Sequence, residues 1–139
     1  MIHIQFPPPE LAIQHWDELY KFLSLAVDAS NGELDEVSVK NQVEDGDLLA
    51  AAVYDDQTLI AVVAFELLLF TTDKRVMNIQ LAGGDNLEVW FERMDEVAQA
   101  LAKARDCSEV YIVGRPGWQR KLKQLGYQTV HTVLRKEVK

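Results

Sequence analysis

The most informative part of the sequence is RDCSEVYIVGRPGWQRKLKQLGY, residues 105–127. Its apolar run EVYIV, at 109–113, is rich in β-branched and aromatic residues, which predicts a strand. The run WQRKLKQLG, at 118–126, places Trp118 and Leu122 on one face of a short basic helix. A strand followed closely by a short helix is typical of an α/β domain.

The rest of the chain supplies strands and helices in a mixed order. Alternating apolar residues predict strands, whereas apolar residues spaced three and four apart predict helices with one buried face. The predicted elements are strand 2–6, a helix from Pro9 to a stop at Asn31-Gly32, helix 35–45, strands 48–54, 58–70 and 74–82, helix 87–105, strand 109–113, helix 118–126 and strand 127–138. We therefore expect one α/β (α+β) domain over residues 1–139, in the order β-α-α-β-β-β-α-β-α-β. Its mixed, mainly antiparallel sheet would be flanked by about four helices.

Composition and charge narrow the class of protein. The chain carries 22 acidic and 14 basic side chains, and its net charge of −8 disfavours binding to nucleic acid. The longest apolar run, 59–70, is too short to cross a bilayer and contains Glu66. The single cysteine, Cys107, cannot form an internal disulfide. These features predict a soluble intracellular protein that does not contact membranes.

The charges are unevenly distributed along the chain. Residues 31–56 carry eight acids and one base, whereas residues 115–139 carry seven bases and one acid. The simpler interpretation is two solvated faces of opposite sign. The alternative is a basic patch for a phosphate-bearing ligand or for an acidic partner protein.

The order of elements, in a domain of this length, resembles the GNAT superfamily of acyl-CoA-dependent N-acyltransferases. The resemblance is carried best by RDCSEVYIV at 105–113 and GRPGWQRKLKQLGY at 114–127, which look like the strand, helix and Gly-aromatic ending of that family. The stretches GR-x-GW at 114–118 and VLRKEV at 133–138 also resemble small GNAT-like proteins of tailed bacteriophages. Because some of those are virion-associated, the resemblance implies a protein of the host-cell cytoplasm or of the virion.

The resemblance also implies where acetyl-CoA would bind. The family holds the cofactor's pyrophosphate on the backbone amides of an Arg/Gln-x-x-Gly-x-Gly/Ala loop at the start of its long helix. Counting back without gaps from the matched end places this loop at residues 86–91, which contain no glycine and carry the acidic Glu88. Shifting the loop to Gly83-Gly84 recovers two glycines, but they are adjacent and are followed by acidic Asp85.

Other positions of the catalytic site also depart from the family. The tyrosine that protonates the leaving thiolate usually stands four residues before the final glycine, where this chain has Leu122. Arg115 stands where the family often has Asn, and Trp118 where it often has a small alanine. The resemblance therefore implies the scaffold of an acyltransferase with a degenerate acyl-CoA site.

Two groups of residues are candidates for the site itself. Gly83, Gly84, Asp85 and Asn86 are candidates for cofactor binding. The alternative is a strand-to-helix turn with glycines at positive φ and Asp85 or Asn86 as the N-cap. Glu66, inside an apolar strand, is a weak candidate for a general base. Its alternatives are a solvent-facing position on a strand edge or pairing with a neighbour.

A third group of residues is a candidate interaction surface. Arg115, Trp118, Arg120 and Lys121 would form an exposed aromatic and basic patch, unless Trp118 is instead the first core anchor of its helix. Metal binding is not expected, because the three histidines have no ligand spacing with the cysteine. The thiol of Cys107 is expected to be free and at least partly buried.

The preferred hypothesis is a GNAT-like domain that has lost acyl transfer and binds another protein or itself, for example as a small phage protein or virion component. No cofactor is expected in that case. The first alternative is an active acetyl-CoA-dependent N-acetyltransferase with an atypical cofactor loop. A weaker alternative is a domain that binds another phosphorylated metabolite at its basic C-terminal helix.

Overall fold

The computed structural model describes residues 1–114 and 116–139 of the chain. Its elements are β1 (Ile2–Gln5), α1 (Pro9–Gln14), α2 (Trp16–Asp28), α3 (Glu36–Asp45), β2 (Leu49–Asp55), β3 (Thr58–Leu69), β4 (Arg75–Gly84), α4 (Leu87–Ala104), β5 (Glu109–Ile112), a 3₁₀ turn (Pro116–Trp118) and α5 (Gln119–Gln124). The order predicted from the sequence is confirmed from the first strand to the last helix.

The five strands form one mixed sheet in the order β1-β2-β3-β4-β5. The pairs β1–β2, β2–β3 and β3–β4 are antiparallel, and β5 runs parallel to β4. The tight turn between β2 and β3 contains Asp56 in a left-handed conformation, with φ 54°. This is the hairpin that the polar residues between two valine-rich runs predict.

Both faces of the sheet are covered by helices. One core lies between the sheet and α1, α2 and α3, and it includes the sheet residues Ala50, Ala52, Val62, Ala64 and Leu81. The other core lies under α4 and includes Ala51, Val53, Ala61, Val63, Phe65, Met77, Ile79 and Ala82. Neighbouring residues of a strand point to opposite faces, so an unbroken apolar run serves both cores.

The first predicted helix is divided in two. His15 interrupts it with φ −104° and ψ 25°, so that α1 ends at Gln14 and α2 begins at Trp16. Trp16 is buried, and its indole Nε1 donates a hydrogen bond to Glu36 Oε2 of α3 at 3.0 Å. The break lets α1 pack beside α3 while α2 crosses β4. With this division there are five α-helices among the described residues, where about four were expected.

The predicted closing strand, residues 127–138, is not formed in the structure. Tyr127 is fixed, because its hydroxyl donates a hydrogen bond to Asp95 Oδ1 of α4 at 2.6 Å and its ring edge packs against Phe91. Beyond it the chain is exposed, and Val133 is 84% exposed. A sequence of β character forms a strand only when a neighbouring strand pairs with it. None of the helices described is long and apolar enough to cross a membrane.

Candidate functional site

The candidate site is a fork between β4 and β5. The two strands pair from Val76, opposite Glu109, to Ile79, opposite Ile112. The last hydrogen bond between them runs from Val113 N to Ile79 O at 3.1 Å. Because β4 continues to Gly84, its last five residues have no partner on β5 among the residues described.

The fork begins at a bulge in β4. Ala64 of β3 lies opposite Leu81, but the next residue, Phe65, lies opposite Ile79, so Gln80 is an extra residue in β4. A bulge bends its strand and increases the local twist, which re-aims nearby side chains. The bulge therefore accounts for the divergence of the two strands at this point.

Gly83 and Gly84 lie within β4 and do not form the turn that the sequence predicted. They pair with Val62 and Ala61 of β3. A Cβ atom on Gly83 would lie 1.8 Å from the carbonyl oxygen of Phe22 in α2. A Cβ atom on Gly84 would lie 2.4 Å from that of Ala61. The two glycines thus allow close approach of α2 and of β3 to β4.

Only two residues, Asp85 and Asn86, connect β4 to α4. Asn86 is the N-cap, as one of the two predicted alternatives, but it is left-handed (φ 52°) and its side chain makes no capping hydrogen bond. The indole Nε1 of Trp90 donates a hydrogen bond to the Asp85 carbonyl at 2.9 Å, which ties this short link to the helix. The link is far shorter than the six-residue loop that the resemblance implies.

The window 86–91 is mostly the first turn of α4. Trp90 and Phe91 are fully buried in the core beneath the helix. Glu88 is exposed in the first turn, and Asp85 is exposed just before it. Both carboxylates lie near the positive end of the helix dipole, where they stabilise the helix and repel an anion. The positive end of this helix dipole is therefore already neutralised in part by the protein's own carboxylates, which disfavours a bound phosphate.

The position where the resemblance implies a catalytic tyrosine is apolar. Leu122 is buried in the α4 core, and its Cδ1 lies 3.2 Å from where a Cβ atom on Gly114 would be. A tyrosine does occur nearby, Tyr127, but its hydroxyl is already bonded to Asp95. Burial, and then the hydrogen bond to that carboxylate, raise the pKa of Tyr127. Its proton is therefore held firmly.

The predicted interaction surface is only partly exposed. Trp118 is half-buried and packs against the α4 core, which agrees with its interpretation as a core anchor. Arg120 is exposed and Lys121 is half-buried. Arg115 lies outside the described residues. A basic patch beside a partly covered indole stays a prediction.

A polar cluster beside the fork was only partly anticipated. Glu66 lies in β3, an interior strand, and not on a sheet edge. Its Oε1 accepts a hydrogen bond from Asn78 Nδ2 at 2.8 Å, so pairing with a neighbour is the alternative that the structure favours. The same Nδ2 donates to Gln80 Oε1 at 2.7 Å, and Asn78 is only 4% exposed. The cluster holds a half-buried carboxylate next to the bulge.

Sequence reasoning missed Asn78 and Gln80, although a signal was present. The strand reads RVMNIQLAGG, so two amides interrupt an otherwise apolar run. Buried amides need hydrogen-bond partners, which a neighbouring carboxylate supplies. Asn78 in β4 and Glu66 in β3 could therefore have been recognised as possible partners. Only the register of the two strands shows that they lie opposite each other.

Metal binding finds no support in the part of the chain that the structure describes, where no three His, Cys, Asp or Glu side chains are grouped to hold an ion. Cys107 is a free, half-buried thiol, as predicted. Burial raises its pKa, which keeps it protonated and weakly reactive.

Comparison with models of protein families found no match, and comparison with curated proteins found none either. Solved structures do match. A ribosomal-protein-alanine N-acetyltransferase from Brucella melitensis biovar Abortus 2308 is similar with a TM-score of 0.71, 16% identity and coverage of 100% of both chains. An aminoglycoside N-acetyltransferase in complex with CoA is similar with a TM-score of 0.71 and 12% identity, over 99% of this chain and 95% of that one.

The same fold also occurs in a protein that is described as a transcriptional regulator and not as an acetyltransferase. A transcriptional regulator from Bacillus halodurans C-125 is similar with a TM-score of 0.67 and 15% identity, over 99% of this chain and 100% of that one. At such low identity the likeness extends to the fold alone. The chain therefore shares the fold of these solved structures over essentially its whole length.

Proposed function

We propose that this protein is a GNAT-fold domain that does not transfer acyl groups and that acts by binding another protein or a second copy of itself. One observation carries the proposal: the two-residue connection from β4 to α4 takes the place of a cofactor loop. The aromatic side chains that follow it are part of the core. The phage-like stretches of the sequence further suggest association with virus particles.

The hydrogen bonds and the charge at the start of α4 both disfavour acyl-CoA binding. A pyrophosphate needs several backbone N–H groups aimed at it. The Val89 amide already donates to the Asn86 carbonyl at 2.8 Å. Two carboxylates, Asp85 and Glu88, lie near the same place. Each like-charge pair at ~4 Å costs about 1 kcal/mol in water and more near a protein surface.

A second candidate function is an N-acetyltransferase with an atypical cofactor site. The polar cluster of Glu66, Asn78 and Gln80 favours it, because this places a carboxylate beside the fork. A carboxylate in that position would accept a proton from an amine. The hydrogen bond from Asn78 would orient it. The similar aminoglycoside acetyltransferase binds CoA, which is consistent with this alternative.

Thermal unfolding in the presence of acetyl-CoA separates the two functions. A ligand at a concentration one hundred times its Kd stabilises the folded state by about 2.7 kcal/mol. For a domain of this size that corresponds to a rise in Tm of roughly 10 °C. We expect no rise at 1 mM acetyl-CoA. A rise of several degrees, together with release of free CoA when amines are added, would establish the second candidate.

A further inference from the structure

A small pocket lies under the break between α1 and α2. Its volume is about 220 Å³, and its walls come from these two helices and from β1, β2 and β3. We call it the helix-break pocket. The fork lies between β4 and β5, at the other end of the sheet, so the pocket is separate from the candidate site.

The fold leaves this space open because two short side chains line it. Ala12 of α1 is 1% exposed and Ala52 of β2 is 3% exposed. The regular helix is interrupted at His15, which also lines the pocket. Two helices and three strands therefore surround a hollow that the alanine methyl groups do not fill.

Most of the lining is apolar. Six of the ten lining residues carry hydrocarbon side chains, namely Pro7, Leu11, Ala12, Leu19, Ala52 and Leu59. Binding pockets commonly combine such walls with a few polar groups that orient the ligand. The polar groups here are the side chains of Gln5, His15, Glu18 and Tyr54.

Glu18 gives the pocket a negative charge. The lining holds this one carboxylate and neither lysine nor arginine. The ion pairs among the described residues do not include Glu18, and Lys21, three positions further along α2, is not paired with it. A carboxylate without an ionic partner favours a cationic ligand, because charge-assisted hydrogen bonds are stronger than neutral ones.

Tyr54 adds an aromatic wall to the pocket. The imidazole of His3 stacks on its ring, with the centroids 5.3 Å apart and the planes 13° from parallel. This contact covers one side of the ring and holds it in place, while the ring also lines the pocket. Aromatic rings attract cations, and arginine is found in such contacts more often than lysine.

These features fit an arginine side chain better than lysine or an aromatic side chain. The guanidinium group is planar and weakly hydrated, and it both stacks on rings and forms paired hydrogen bonds with a carboxylate, whereas the lysine ammonium is compact and strongly hydrated. The aliphatic part of arginine packs on apolar surface. An aromatic side chain would leave Glu18 without an ionic partner. The pocket has room for about seven waters at ~30 Å³ each, as many as the non-hydrogen atoms of an arginine side chain.

We propose that the helix-break pocket binds an arginine side chain of a partner protein. The aliphatic part of that side chain lies on the apolar wall, its guanidinium plane lies beside Tyr54, and its N–H groups donate to the carboxylate of Glu18. This names the chemistry that the partner presents and rests on the proposed binding function in that respect. The acetyl-CoA experiments address the fork between β4 and β5, so the two proposals fail separately.

A titration of the ¹⁵N-labelled full chain with a short peptide tests the proposal. The probe is the acetylated and amidated peptide Gly-Ser-Gly-Arg-Gly-Ser-Gly, and the comparison peptides carry citrulline, lysine or tryptophan in place of the arginine. We expect saturable shifts of the amides that line the pocket, with a Kd of about 1–10 mM, since one side chain supplies only part of the affinity of an interface. Citrulline has the shape of arginine without its charge, and its peptide should bind at least fivefold more weakly.

Glu18→Gln tests the role of the carboxylate and should weaken binding of the arginine peptide at least fivefold. Asp17→Asn is the matched control, because Asp17 is also exposed and in the first turn of α2 but does not line the pocket. Both substitutions remove one negative charge near the positive end of the same helix dipole, so a general effect of charge is common to both. The control should stay within twofold of the wild type. Urea denaturation of both variants will show that the domain remains folded.

Several outcomes would overturn the proposal. Shifts that do not saturate up to about 20 mM peptide, or that lie outside the pocket, would show that the arginine does not bind there. Equal losses in Glu18→Gln and Asp17→Asn would show attraction to the net charge of −8 alone. Tighter binding of the lysine or tryptophan peptide at the same amides would assign the pocket to another kind of side chain.

Discussion

Replacing Gly83 by alanine should destabilise the protein strongly, because this residue is where α2 rests on β4. The new Cβ atom would lie 1.8 Å from the Phe22 carbonyl oxygen and 2.7 Å from its carbonyl carbon. Both atoms belong to the backbone, so no flexible side chain can move away. The helix must shift outward by at least about 1.6 Å to reach an ordinary contact of 3.4 Å, which loosens the packing beneath it.

The expected loss in the free energy of unfolding follows from that shift of the helix. Overpacking a core by one methyl group costs about 1–3 kcal/mol, occasionally more, and a backbone clash lies at the upper end. Alanine also restricts the unfolded chain, which offsets about 0.4–1 kcal/mol. The net loss is therefore about 2–3 kcal/mol, which lowers Tm by roughly 6–12 °C for a domain of this size.

Urea denaturation followed by circular dichroism measures this loss. Gly117→Ala is the matched control, because a Cβ atom there meets nothing within 4 Å. We expect the control to stay within about 0.5 kcal/mol of the wild type. If Gly83→Ala is equally harmless, the glycine is not needed for packing, and a role in ligand binding would have to be reconsidered.

The remaining predictions concern two hydrogen bonds and one titration. Tyr127→Phe should lower the free energy of unfolding, measured by urea denaturation, by about 1.5–3 kcal/mol, because it removes a hydrogen bond to a carboxylate. Tyr54→Phe is the control, and equal stability of the two variants would contradict the prediction. Because the pKa of Tyr127 is raised above its ordinary 10, the folded protein keeps a proton that the unfolded chain releases. The contribution of this proton to the free energy of unfolding is complete below pH 10 and declines above it, by up to about 1.4 kcal/mol per pH unit. Tyr127→Phe should lack this decline. Identical slopes of stability against pH for the wild type and the variant would argue against the raised pKa. Asn78→Leu should cost about 1–3 kcal/mol by leaving Glu66 without its donor, and adding Glu66→Leu should recover part of the loss in a double-mutant cycle.

Much of the fold could be predicted from local sequence patterns. The acidic helix α3 has Asp35 as its N-cap, whose carboxylate accepts a hydrogen bond from the Ser38 amide at 2.8 Å, and Gly46 as its C-cap, with φ 83°. Both are residue types with strong positional preferences, so both ends were predictable. The long helix α4 is likewise evident from its regularly spaced apolar residues.

The parts that sequence reasoning missed depend on contacts between distant segments. Gly83 and Gly84 read locally as a turn, and only the proximity of Phe22 and Ala61 explains why they stand within a strand. Residues 127–138 have strand character, but they are not part of the sheet, and local β-propensity alone does not decide whether a segment pairs. The bulge at Gln80 could not be predicted, because the strand is too short for one extra residue to be recognised in its alternation of side chains.

The candidate site was predictable in its outline and not in its details. The resemblance to acetyltransferases led to the start of α4, where the structure places a link of two residues. It did not reveal the pair of Glu66 and Asn78, because the two residues are twelve positions apart and meet only across the β3–β4 register.

The proposed loss of acyl-CoA binding is best examined at the amides themselves. In a titration of the ¹⁵N-labelled protein with acetyl-CoA, the signals of residues 85–91 report on any phosphate bound at the start of α4. We predict that these signals stay in place up to about 2 mM acetyl-CoA, since a cofactor site has a far lower Kd. Saturable shifts confined to residues 80–91 and 112–114 would show that the fork holds the cofactor, and they would contradict a domain that acts by protein binding alone.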